Sequence, residues 1–328
     1  MSSNIFHIEE ETRLKTYELF EKTELTVNED AVIIKEWLET QPHLPEILDD
    51  VRIKYFLLRN KFSIEKTKQK IDMYYTVRSL IPDFFDNMNP KSSIMQDVSK
   101  KICFCIHPKI IDGLHRVFFI KTNGPSQFPV KELILHALNV AEVRMCEDAL
   151  SSEVVFFDMA NISLSDVKRI TPTLTAKIFF IYQNVYSMRL KSLYIINSPS
   201  YVTIVTSILK TTMKPKLFER VQFFEDANIL KQFFSVDELP KDYGGEGPSL
   251  QQLNDLVKEK LTFHQDRFDQ LDKLRVNESL RPEKLNNDEV LGFYVDDTPL
   301  VTSPSTSHLH DKEFQSLEQR DHVSKYYF

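Results

Sequence analysis

Nine histidines and three cysteines are the first residues to ask for metal or nucleophilic chemistry. None of the histidines forms an HExxH pair. His308 and His310 stand two apart in the polar run TSPSTSHLH and read as solvated. His107 and His115 flank a turn at Asp112 and read as surface loop histidines, whereas His136, inside an apolar helical run, reads as a core histidine with its hydrogen bonds met. Cys103 and Cys105 lack the second cysteine pair that a zinc site needs. As alternate residues of a strand, both thiols would face the same way and pack as small hydrophobes. Asp158 ends the apolar run VVFFD, where a carboxylate could catalyse, cap a turn or pair with a base. The six glycines fit neither a phosphate loop nor a dinucleotide fingerprint, and no Gly-x-Ser-x-Gly elbow is present. No catalytic residue, metal or cofactor is therefore expected, and an enzyme is the least favoured class.

More informative is NSPSYVTIVTSILKTTMKPKLFER, residues 197–220. A turn at Ser198-Pro199 leads into a helix with Tyr201, Val202, Val205, Ile208 and Leu209 on one side. No acidic residue falls within that helix, and Lys210, Lys214, Lys216 and Arg220 follow along or beyond it, while Arg189 and Lys191 precede the strand before it. An apolar face can cover a cavity while basic flanks meet an anionic membrane, at about 1 kcal/mol for each basic residue near the surface. An ordinary amphipathic helix with basic ends has the same pattern.

The elements that must position this segment fall into zones. Residues 1–92 read as helices. Asp30 is a candidate N-cap before AVIIKEWLET, Asp49 precedes DVRIKYFLLRN, and Ser63 can cap a third helix. Residues 93–246 alternate β-rich runs (Ile102 to Ile106, Arg116 to Lys121, Val154 to Asp158, Leu193 to Ile196, Val221 to Phe224) with helical runs at Val130 to Asp148 and Thr171 to Met188. EVVFFD and SLYIIN are almost continuously apolar, as in strands covered on both faces, so the class is α/β with a mixed or parallel sheet. Residues 247–275 read as a C-terminal helix capped by Ser249, and 276–328 as a polar, mobile tail.

Composition narrows the partners. A formal net charge of −7 argues against bulk attraction to nucleic acid. The N-terminus is acidic, and no run approaches the roughly 18 apolar residues of a membrane span, so the expected place is the cytoplasm. With 24 Phe and 12 Tyr but one Trp, the chain can line a large apolar core or cavity.

Several runs together carry a resemblance: Asp50-VRIKYFLLRNKFSIEKTKQKID, Asp112-Gly113-Leu114-His115-Arg116-Val117-Phe118-Phe119, EVVFFDMANISLS, YSMRLKSLYIINSPS, KPKLFERV and the closing LPKDYGG. In order and spacing they resemble the CRAL-TRIO lipid-binding family over roughly residues 25 to 270. The resemblance implies a helical N-terminal domain beside an α/β domain with a mixed sheet, an apolar pocket and a helical lid, here about Pro199 to Met213. It implies a pocket wall of Phe156, Ile178, Ile181, Tyr182, Tyr186, Met188 and Ile195, closed by Val202, Val205, Ile208 and Leu209. It also implies phosphoinositide binding by Arg189, Lys191, Lys216 and Arg220. A further basic position of the family falls at Asn60, with Arg59 and Lys61 beside it to compensate. The function implied is a monomeric carrier of one hydrophobic, tocopherol-, retinoid- or carotenoid-like ligand, exchanged by transient peripheral contact with phosphoinositide membranes. The alternative is a phosphoinositide-binding adaptor without a transfer role.

Overall fold

A computed structural model describes residues 5–6, 8, 10–124 and 128–282; His308, His310 and the rest of 283–328 lie outside the described residues. Helices α1 (Glu10–Glu18), α2 (Glu24–Glu39), α3 (Asp50–Arg59), α4 (Ile64–Leu80), α5 (Pro82–Phe85) and α6 (Ser93–Lys101) come first. Strands β1 (Ile102–Ile111) and β2 (His115–Thr122) follow, then α7 (Val130–Glu147), β3 (Ser152–Asp158), α8 (Leu164–Val167) and α9 (Pro172–Phe180). A π-helical turn at Ile181–Val185 leads to β4 (Leu190–Ile196), α10 (Val202–Thr212), α11 (Pro215–Phe218), β5 (Val221–Phe223), α12 (Leu250–Phe263) and α13 (Gln265–Leu271).

Local chemistry sets most of these boundaries. The second helix begins at Glu24, not after Asp30, because Thr23 and Thr26 form a reciprocal capping box. Asp30 lies within that helix and pairs with Lys22 at 2.5 Å. Asp49 caps α3 by accepting from the Arg52 amide at 2.9 Å, and Ser249 with Gln252 boxes the start of α12. Ser63 occupies the N-cap position of α4 without making a side-chain cap bond.

The five strands lie in the order β1-β2-β3-β4-β5, with β1 and β2 antiparallel and the remaining pairs parallel. Strand β1 runs five residues past the expected Ile106, carried around Pro108 by a register shift between His107 and Ile110. His107 and His115 are therefore buried strand residues and not surface loop histidines. The first bonds the Glu238 carbonyl through Nε2 at 3.0 Å, and the second bonds Ser152 Oγ through Nδ1 at 2.6 Å.

Because side chains alternate along a strand, the sheet has two distinct faces. One carries Cys103, Cys105, Val117, Phe119, Val154, Phe156, Tyr194 and Ile196, packed with Leu230, Phe234, Leu239, Leu250 and Leu253. Phe119, Phe156 and Tyr194 are in register on adjacent strands and stack, with both successive centroid distances 5.1 Å. The LPKDYGG run closes this side. Tyr243 donates to Asp158 Oδ2 at 3.0 Å and stacks on Phe119. A Cβ on Gly245 would stand 1.9 Å from the Leu239 carbonyl oxygen, so only glycine fits there. Asp158 also accepts from the Ala160 amide and Asn197 and pairs with Lys121, so all its contacts are structural.

His136 on α7 is a core residue, packed edge-on against Phe104, but its Nε2 is buried without a hydrogen-bond partner. The expectation of a satisfied histidine fails here. Burial, with a small push from Lys258, lowers its pKa to about 4. The neutral ring is thus favoured in the folded state, and the stability it allows at pH 7 is lost as pH falls from about 6.5 toward 4. Between pH 7 and pH 5 that amounts to about 2 kcal/mol. His136→Leu should flatten this part of the stability profile in urea titrations at the two pH values. An unchanged slope would count against the buried neutral ring.

Residues 276–281, expected as the start of a mobile tail, are tied down. Val276 donates its amide to Ser79 Oγ, Asn277 donates its amide to the His43 carbonyl, and Arg281 pairs with Asp72 at 2.7 Å. These bonds hold residues 276–281 against the N-terminal helices.

Candidate functional site

The opposite face of the sheet is not packed solid. Between it and helices α7, α9 and α10 lies a cavity of about 270 Å³, just below the roughly 300–1,000 Å³ usual for ligand pockets. The sheet contributes Phe104, Phe118, Ile120, Val155, Phe157, Leu193 and Ile195 to it. From α7 come Leu133, Ile134, Ala137, Val140 and Ala141, a helical i, i+3, i+4 stripe. Ile178, Phe179, Tyr182 and Met188 form a third wall, and Val205 and Leu209 reach in from α10. Apart from a few groups at one end, the lining is hydrocarbon.

Of the wall residues expected from sequence, the structure brings Ile178, Tyr182, Met188, Ile195, Val205 and Leu209 to the cavity. Phe156 is not there. It is in register with Tyr194, whereas Ile195 is in register with Phe157, so Phe156 and Ile195 face opposite ways. Ile181 and Tyr186 are buried elsewhere. The π-helical turn is the reason: its bond from the Tyr186 amide to the Ile181 carbonyl spans five residues, which ends the 3.6-residue spacing assumed for the helix. Tyr182 consequently donates to Glu153 Oε2 at 2.9 Å, while Tyr186 donates to Glu142 Oε1 at 2.8 Å beside Arg78. Val202 and Ile208 are half-buried on α10 but do not line the cavity. The α7 stripe was missed, although its spacing was visible in the sequence.

At the polar end stand Arg144 and Glu153, 1% and 3% exposed. Glu153 Oε1 accepts from Arg144 Nη1 at 2.6 Å and pairs with Arg59 Nη1 at 2.6 Å. Arg144 Nε donates to Asp148 Oδ2 at 2.7 Å, and Arg116 pairs with Asp148 at 3.1 Å. Burial alone would raise the pKa of Glu153, but Arg59 and Arg144 outweigh it and hold the carboxyl below its ordinary value. Burial and the Glu153 charge push the Tyr182 hydroxyl well up, so it stays a neutral donor. Arg59 is thus committed inside the protein and cannot stand in at the surface for the basic residue absent at Asn60. Asn60 itself bonds the Phe56 carbonyl and Ser187 Oγ, and Lys61 is exposed.

The expected headgroup cations gather at one edge. Arg189 and Lys191 flank the first residue of β4, and Arg220 directly precedes β5, where its guanidinium donates to the Leu190 carbonyl. Lys216 is exposed on α11, as are Lys191, Lys210 and Lys214. Arg189 is half-buried over the Phe20 ring, with Nη1 unpartnered. Burial, with Arg59 nearby, lowers its pKa. None of these cations pairs with a carboxylate among the described residues. Also among the described residues, no group of His, Cys, Asp and Glu is placed to hold a metal ion, and no helix is long and apolar enough to cross a membrane.

Comparison with known proteins adds the following. Residues 95–245 match the family described as CRAL/TRIO domain, and residues 23–95 match one described as Pinta-like, UBA domain. The chain is 27% identical over 240 residues to the alpha-tocopherol transfer protein-like proteins of Mus musculus and Homo sapiens, covering 71% of this chain and 69% of each relative. It is 22% identical over 233 residues to clavesin-1 of Xenopus laevis, covering 68% of this chain and 69% of the relative. The crystal structure of Sfh5 shares 14% identity at a TM-score of 0.45, covering 80% of this chain and 99% of that one.

Proposed function

We propose, from the match of residues 95–245 to the family described as CRAL/TRIO domain, that the protein is a carrier that buries one hydrophobic lipid in the cavity and exchanges it at phosphoinositide-containing membranes. The observation that carries the reading is the lining itself: hydrocarbon from three helices and one sheet face surrounds a space left unfilled by side chains. A packed interior leaves few voids larger than a water molecule, and each Å² of apolar ligand surface removed from water contributes about 25 cal/mol. Such a site needs shape more than polar chemistry. Its small volume favours a single slim chain or short isoprenoid over a lipid with two acyl chains, and within the tocopherol-, retinoid- or carotenoid-like range it favours the retinoid size. The similarity to proteins named alpha-tocopherol transfer protein-like agrees with a lipid cargo. Organic extraction of purified protein followed by mass spectrometry should recover a stoichiometric lipid; repeated empty preparations that also take up no isoprenoid would sink the carrier reading.

Membrane exchange rests on α10 and its surroundings. The helix lends Val205 and Leu209 to the cavity while exposing Thr203, Ser207 and Lys210, so its displacement would open the cavity beside cations that pair with no carboxylate among the described residues. Lys191 and Lys216 are both exposed. At about 1 kcal/mol each, the double substitution Lys191→Ala, Lys216→Ala should weaken sedimentation with phosphoinositide vesicles by roughly 10- to 30-fold at low salt. Wild-type binding itself should fall steeply as salt rises. If ligand release to vesicles is unaffected in the double variant while attachment is lost, the adaptor reading is favoured over transfer.

A further inference from the structure

Of the polar groups at the cavity, one nitrogen is left over. Arg144 lines the cavity and is 1% exposed. Its Nε serves Asp148 and its Nη1 serves Glu153, but its Nη2 is buried with no hydrogen-bond partner. A guanidinium is always charged and cannot escape by losing a proton. A buried donor left unpaired is destabilising, more so when it is charged.

The surrounding charge is unbalanced in the same sense. Arg59, Arg116 and Arg144 face two carboxylates, Asp148 and Glu153, among the described residues. Arg59 Nε and Nη2 are likewise buried and unpartnered. An interior cluster with one surplus positive charge, and an unpartnered N–H on a residue that lines an apolar cavity, is complementary to an acceptor carrying negative charge. The hydroxyl of Tyr182 lines the same end but is already given to Glu153, so a neutral hydroxyl on a ligand would find Nη2 as a donor and leave the surplus charge uncompensated.

We infer that the cavity is built for a lipid carboxylate, a long apolar chain whose acid head accepts from Arg144 Nη2 while the chain lies among the α7, α9 and sheet side chains. This rests on the carrier reading and deepens it: the cargo is an anionic single-chain lipid rather than a neutral one.

The full-length protein would be titrated at neutral pH with two matched pairs, cis-parinaric acid against its methyl ester and retinoic acid against retinol. At least one acid should bind about tenfold or more tighter than its neutral counterpart, as expected for a charge-assisted hydrogen bond. Arg144→Lys keeps a cation for Asp148 and Glu153 but offers no third nitrogen in the planar fork, and should bring the ratio toward one. The wild-type comparison stands even if that variant folds poorly. Neutral members binding as tightly as the acids in both pairs would overturn the carboxylate inference and leave the carrier intact. No binding by any of the four, together with no co-purifying lipid, would overturn both.

Discussion

Replacing Glu153 by Ala is expected to destabilise the protein by about 3–5 kcal/mol, because it strands two buried guanidiniums at once. Glu153 is the point where α3, α7, β3 and the π-helical turn meet, through Arg59, Arg144 and the Tyr182 hydroxyl. It also accepts from the Arg189 amide through Oε2 at 3.1 Å. With its oxygens gone, Arg59 keeps a 3.3 Å contact to the Ser151 carbonyl and its place over the Tyr55 ring, and Arg144 keeps Asp148. For a unit of this size each kcal/mol corresponds to roughly 2–4 °C, so thermal unfolding should drop by about 10 °C. Glu153→Gln retains the shape and one acceptor and should cost less than the alanine. An alanine variant within 2 °C of wild type would contradict the buried cluster.

The second large effect concerns the cavity. Ala137→Trp should lower affinity for the co-purifying lipid by about a hundredfold or more, with unfolding changed by no more than about 1 kcal/mol. Ala137 and Ala141 lie one turn apart on the cavity face of α7, so an indole at 137 would occupy space that ligand would otherwise fill. Overpacking a dense core costs roughly 1–3 kcal/mol, but here the added atoms enter a void and gain contacts there. The readout is lipid per protein after extraction, alongside the unfolding midpoint. A folded variant that still carries a full complement of lipid would place the ligand elsewhere.

Much of this protein was written locally. The apolar runs that became β1 to β5 and the helices after Asp49 and Ser249 follow from periodicity, capping chemistry and spacing over a few residues, which the chain displays wherever it folds. The apolar side of α10 and the basic residues that follow it belong to the same class. Single-sequence reading could also have found the α7 stripe, since Leu133, Ala137 and Val140 keep helical spacing. What only tertiary structure decided depends on partners distant in the chain. Which face of β3 meets the cavity is a matter of parity and register, and a shift of one residue exchanges every side chain; that put Phe156 in the far core and Phe157 in the wall. The π-helical turn that parts Tyr182 from Tyr186 sends their hydroxyls to two separate buried acids, Glu153 and Glu142. Arg59 read as a surface cation because its partner, Glu153, lies far along the sequence, and only folding brings the pair to 2.6 Å. The open nitrogen of Arg144 is a remainder, visible once every neighbouring hydrogen bond has been assigned.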